Sequence, residues 1–219
     1  MVQIFSVALH LSAVCAMTYG YNALHGLAVN AWITSQYGGH FQFLTIQGLA
    51  VACMTMIVGL FEDFFPSIPG VRATKRALFI AAMPIATIVS SIYWTLLLTV
   101  PHLLIQQMPT ETSPIVASIP LHIDLSLHAA PCVSLLTDFM ICERKYGRTA
   151  IRYVAPALTL ACTVWYGWWA EHCASKNGTF PYPFLTVNTF DIRLRIYAAA
   201  GALAYISFYA LNALHPKSH

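Results

Sequence analysis

An all-α integral membrane bundle of about six transmembrane helices is the fold class this sequence predicts. Three observations carry that reading. Of the 219 residues, 58% are hydrophobic and only 9% charged, whereas soluble domains carry about a quarter charged residues. Six windows reach the ~20 apolar residues needed to span a bilayer, at roughly 2–21, 41–61, 77–100, 121–141, 150–171 and 194–213. The connections between those windows alternate in basic content. The 12 prolines and 11 glycines do not gather into a linker, and no internal repeat or low-complexity tract is present. Residues 1–219 therefore read as a single transmembrane helical domain.

The first window has no basic n-region and no clear cleavage site, so it reads as a retained span rather than a removed signal peptide. The second, FQFLTIQGLAVACMTMIVGLF, carries Gly48 with Ala52 and Thr55 with Gly59. Small residues at four-residue spacing let a neighbouring helix approach closely. Between the first two windows there is no lysine or arginine, whereas the next connection holds Arg72, Lys75 and Arg76. His102 to Pro120 again has none, and CERKYGRT then holds Arg144, Lys145 and Arg148, with Arg152 just beyond. The fifth connection breaks the pattern with Lys176, Arg193 and Arg195, and the tail has Lys217. The positive-inside rule places both termini in the cytosol. Glu62, Asp63, Asp138 and Glu143 then fall at cytosolic helix ends, where solvated acids are expected.

Composition also excludes several functions. A net charge of +3, dispersed along the chain, does not suit nucleic acid. The six cysteines (Cys15, Cys53, Cys132, Cys142, Cys162 and Cys173) form no CxxC pair, which argues against a disulfide scaffold or a zinc site. No metal or cofactor is expected. Trp165, Trp168 and Trp169 near the end of the fifth window read as an interfacial anchor, with Glu171 a snorkelling carboxylate. FPYPFL (180–185) reads as a non-helical cap or membrane-surface turn. Asn177-Gly178-Thr179 is a glycosylation sequon too close to a span to be well used.

The fourth window, LHIDLSLHAAPCVSLLTDF (121–139), carries the chemistry. An aspartate at a helix centre costs about 2.5–3.5 kcal/mol on insertion scales, so intramembrane ionisable groups mark functional sites by default. Asp124 and His128 are four residues apart and share a helix face. Pro131 removes an amide donor and predicts a kink beside His128. Thr45, at the start of the second window, has two readings. Membrane threonines often bond a carbonyl one turn back. With the second and fourth spans both starting on the non-cytosolic side, Thr45 lies about 6 Å past Phe41 and His128 about 9 Å past His122, at matched depth.

Three segments together resemble one family. YGGHFQFLTIQGL (37–49), LHIDLSLHAAP (121–131) and WWAEHCASKNGTFPYPFL (168–185) are similar to motifs of the androgen-induced protein family, which includes the androgen-dependent TFPI-regulating protein. The resemblance implies a multipass hydrolase of fatty acid esters of hydroxy fatty acids, needing no cofactor. Its threonine nucleophile and partner histidine fall on Thr45 and His128. Gly48, Trp168, Glu171 and Tyr182 are candidate substrate contacts. The chain departs from the family at Ala129, where a threonine is usual, and at Asp124-Leu125, where an Asn-His pair is usual.

The chemistry is coherent in its own right. A threonine hydroxyl needs an adjacent base, neutral histidine suits that task near pH 7, and Asp124 is placed to orient the imidazole. The alternative for Asp124 is a polar helix-end residue near the surface. The expected partners are a lipid ester substrate and membrane lipids, in the endoplasmic reticulum or the plasma membrane. The competing function is a non-catalytic membrane protein that binds or senses a lipid or sterol. A histidine-rich metal oxidase lacks an HxxHH pair, and a transporter lacks paired broken spans in matching halves.

Overall fold

The structure, a computed structural model, describes residues 2–104, 107–108, 115–116 and 119–216. Lys217 of the charge pattern lies outside them. Helix α1 runs Val2–Leu24, followed by a short α2 at Asn30–Ser35 and a 3-10 turn at Gly39–Gln42. Helices α3 (Leu44–Phe64) and α4 (Val71–Thr99) form the centre. After a 3-10 turn at Pro101–Leu103, a two-residue antiparallel ladder pairs Gln107–Met108 with Ile115–Val116. Helices α5 (Leu121–His128) and α6 (Ala130–Ile141) follow. A π-helical turn at Ala150–Val154 leads into α7 (Ala155–Asn177), and one-turn α8 (Pro183–Thr186) precedes α9 (Phe190–Leu214).

Helical segments occupy all six predicted windows. Four of them, Gln3–Leu24, Leu44–Phe64, Val71–Thr99 and Phe190–Leu214, are long and apolar enough to cross a membrane. The fourth window is divided: α5 and α6 meet at Ala129, whose φ of −111° and ψ of −46° re-aim the chain. Pro131 is the cause, because it has no amide to offer the Leu127 carbonyl. The fifth window has the length in α7, but its second half is Trp-, Glu- and His-rich and dilutes the apolar character. Helix α4 starts earlier than the apolar window because Arg72, Lys75 and Arg76 are good helix formers and extend it. FPYPFL was expected to be non-helical; instead Pro183 opens the single turn of α8, the position where its fixed φ suits a helix.

Helix α3 packs against α1 and α4, α5 and α6 lie against α1 and α4, and α7 and α9 pair on the side of α4. The small residues of α3 set these distances. A Cβ on Gly48 would lie 2.7 Å from the Ile85 methyl of α4, and one on Gly59 would lie 2.7 Å from the His10 ring of α1. Met17, Ala52, Met56, Phe79, Met83 and Leu135 fill the space between. Only 11% of the apolar window of α9 is buried, and Leu194, Leu203, Tyr209 and Leu214 are exposed.

The ends of the bundle differ. Arg72, Arg76, Arg144 and Lys145 converge at one end. The start of α1 is there too, with Gln3 Nε2 donating to the Asp63 carbonyl over 3.1 Å. So is the end of α9, where His215 Nε2 donates to the Phe139 carbonyl over 2.8 Å. Two of the four acids at this end are not solvated as expected, while Glu62 and Asp63 keep partial exposure. Asp138 and Glu143 are buried, and Lys75 Nζ reaches Asp138 Oδ2 at 2.9 Å and Glu143 Oε1 at 3.0 Å. His10, fully buried, lies 2.6 Å from Asp63 Oδ2 and 3.3 Å from Asp138 Oδ1. Opposite charges pair within this cluster, as burial demands.

Candidate active site

At the opposite end of the bundle, α5 is only two turns long, and its purpose in the fold is visible in one contact. Its i,i+4 spacing brings His128 Nδ1 to 2.7 Å from Asp124 Oδ1, with both residues buried. A carboxylate can only accept, so Nδ1 carries the proton and Nε2 is the basic nitrogen. Tyr93 of α4 lies flat on the imidazole, with ring centroids 3.4 Å apart and planes within 4°. Its hydroxyl falls beside Asp124. The imidazole is thus fixed on one edge and one face.

Thr45 is the second residue of α3 and is buried. Other threonines along the helices bond the carbonyl one turn back: Thr55 to Val51 at 2.7 Å, Thr87 to Met83 at 2.8 Å, Thr163 to Thr159 at 2.8 Å. Among the described hydrogen bonds Thr45 makes no such bond. The Phe41 carbonyl that would receive it accepts instead from Trp169 Nε1 at 2.9 Å and Gln47 Nε2 at 2.8 Å. The Thr45 hydroxyl faces that of Tyr182, which also meets the backbone amides of Leu44 and Thr45 at the start of α3. Those amides belong to the orphan donors of a helix N-terminus, where negative charge is favoured. The Tyr182 ring stands edge-on to Phe43, 5.7 Å between centroids. Burial pushes the Tyr182 phenol above its ordinary pKa, so it stays a neutral donor.

Thr45 and His128 line one cavity, with Gly48, Leu49, Ala86, Val89, Leu127 and Pro131 completing the wall. Its volume of ≈ 10 Å³ is at the lower limit for a single water. Thr45, His128, Asp124, Gly48 and Tyr182 are therefore brought together. Trp168 and Glu171 are not. Trp168 points outward and stacks on His172 at 5.5 Å. Glu171 is engaged by Arg193, with bonds of 2.7 and 2.8 Å, and by the Tyr197 hydroxyl at 3.2 Å. That pair also neutralises one of the basic residues that break the charge alternation. Asn177 of the sequon clamps Tyr37, accepting from its amide at 2.8 Å and donating to its carbonyl at 3.1 Å.

An all-α membrane bundle in which a helix-end threonine without a back-bond shares a cavity with a histidine–aspartate pair is the class of protein these observations define. The comparisons then supply the family. The chain matches the FAR-17a/AIG1-like protein family over residues 5–216, and it belongs to that family. It is 30% identical over 213 residues to a UPF0641 membrane protein of Schizosaccharomyces pombe, covering 96% of this chain and 90% of that one. No solved structure matches.

Proposed function

We propose that this protein is an intramembrane hydrolase of lipid esters, with Thr45 as nucleophile and His128 as general base. The observation that carries the reading is the shared cavity. A threonine whose hydroxyl is not used by its own helix and an Asp-oriented histidine line the same cavity. Thr45 Oγ1 attacks the ester carbonyl carbon while its proton passes to His128 Nε2. The tetrahedral oxyanion forms at the amino end of α3, where the Leu44 and Thr45 amides and the Tyr182 hydroxyl meet. Collapse expels the alcohol, which takes the proton from His128. Water then attacks the acyl-threonine, with His128 again as base, and releases the acid.

Family resemblance supports fatty acid esters of hydroxy fatty acids as the substrate. A site near one end of apolar helices suits that class, because acyl chains stay among apolar side chains while the ester meets water. The ≈ 10 Å³ cavity is smaller than an ester group, so substrate entry requires the lining side chains to rearrange. The basic end faces the cytosol in this reading, following the positive-inside rule, with the membrane being that of the endoplasmic reticulum or the cell surface. Fluorophosphonate labelling of wild type, Thr45→Ala and His128→Ala, with hydrolysis followed in parallel, tests it. Labelling and turnover should vanish in both variants at unchanged protein level. A wild type that neither labels nor hydrolyses would favour a lipid-binding protein, and labelling that survives Thr45→Ala would mean another nucleophile.

A further inference from the structure

The basic end of the bundle holds a feature that the hydrolase reading does not use. A concavity of ≈ 350 Å³ is lined by Arg72, Arg76, Arg144 and Lys145. Two of these come from the first turns of α4 and two from the connection after α6. Lysines and arginines are expected near cytosolic helix ends for topology alone. Topology does not require four of them to converge on one hollow.

The local carboxylates do not balance that hollow. Glu143 is shared between Arg76 at 2.8 Å and Lys75 at 3.0 Å, and Asp138 is held by Lys75 and His10. Arg72 meets only Glu62, at 3.8 Å. Lys145 donates to a neutral acceptor, the Ala213 carbonyl, at 3.3 Å. Arg144 has no ion pair among the described residues. Arg76 is immobilised, 4.1 Å above the Tyr146 ring and 2.9 Å from the Arg144 carbonyl. The hollow thus combines one fixed guanidinium with three cations that lack a strong partner. Exposed apolar residues flank these cations in sequence: Phe64, Phe65 and Ile68 precede Arg72 and Ile141 precedes Arg144.

We propose that Arg72, Arg76, Arg144 and Lys145 bind the phosphomonoester headgroup of a membrane lipid. A phosphomonoester carries close to two charges and three acceptor oxygens, which matches several convergent donors better than a single carboxylate does. Guanidinium groups bind such oxygens in bidentate fashion. Basic pockets between helices on a cytoplasmic face bind phosphorylated headgroups by this chemistry. The exposed phenylalanines and isoleucines that flank these cations in sequence offer apolar surface for the acyl chains.

The test uses the purified full chain in phosphatidylcholine nanodiscs, with and without phosphatidic acid, and an arm with inorganic phosphate alone. Wild type should retain phosphatidic acid over phosphatidylcholine, and Arg72→Ala with Arg144→Ala should weaken retention about thirtyfold, the effect of two charges at about 1 kcal/mol each. Unchanged elution and melting temperature would show that the variant folds. If it does not fold, wild-type retention must still decline as salt rises. Saturable inorganic phosphate binding without lipid preference would keep the anion site and overturn the lipid source. No preference for phosphatidic acid together with no phosphate binding would overturn the proposal, as would a preference untouched by the double substitution.

Discussion

His128 Nδ1 lies 2.7 Å from Asp124 Oδ1, one helical turn away on a segment only eight residues long. The bond selects the tautomer in which Nε2 is left as the acceptor nitrogen. Asp124→Asn keeps the shape but lets the side chain donate as well as accept, so the tautomer is no longer imposed. Turnover should decline by about 10²–10⁴-fold, the upper value being that of the corresponding change in a serine protease triad. Hydrolysis rates at matched protein level check this, and unchanged turnover would remove the orienting role.

Tyr182 meets both Thr45 and the first amides of α3. Tyr182→Phe removes its hydroxyl and leaves the ring against Phe43. If that hydroxyl stabilises the oxyanion, kcat should drop by up to about 10²-fold with KM little changed. Steady-state kinetics separate this from a packing defect, which would lower the amount of active protein instead.

The second polar cluster should govern stability. Lys75→Met leaves Asp138 and Glu143 buried without their shared partner. Breaking a buried pair in this way costs about 3–5 kcal/mol. Gly59→Ala should also destabilise, because its Cβ would meet the His10 ring at 2.7 Å. Thermal unfolding of the detergent-solubilised protein measures both. Thr45→Ala, which forfeits no back-bond, should melt close to wild type.

His40, in the turn before α3, is a pH-sensitive point outside the spans. Burial, and then the neighbouring His25, hold its imidazole below the ordinary value of 6.5. Neutral His40 lies 2.8 Å from Asn30 Oδ1 and packs near Tyr21. The unfolded chain therefore binds more protons in mildly acidic solution. The stability contribution is present above pH 6.5 and is lost as pH drops through the lower folded value. Melting temperature should decline on acidification less steeply in His40→Gln than in wild type.

The sequon at Asn177 should remain unmodified. Its side-chain amide bridges the backbone of Tyr37 at 2.8 and 3.1 Å, and a glycan would require that clamp to open. Expression in eukaryotic cells should give no glycosidase-sensitive band, and Asn177→Gln should lower the melting temperature.

Much of this arrangement was legible in the sequence, for identifiable reasons. Asp124 and His128 stand out because charge is rare in apolar windows and their spacing fixes a shared face. Gly48 and Gly59 announce close approach by their four-residue partners. Tyr93 was invisible, because an aromatic residue in a span reads as apolar bulk. Asp138 and Glu143 were misread as solvated because their partner Lys75 lies more than sixty residues away, and no local pattern encodes that pairing. Trp168 and Glu171 were drawn toward the site by the family resemblance of their segment, while α7 turns one outward and gives the other to Arg193.

The layer of Met17, Ala52, Met56, Ala82, Met83 and Leu135 separates the Thr45 end from the His10 end. With those residues almost fully shielded, an apolar layer divides the His128–Asp124 pair from the His10–Asp63–Asp138 cluster. Substitutions in one cluster should therefore leave the contacts of the other in place, and their effects should add.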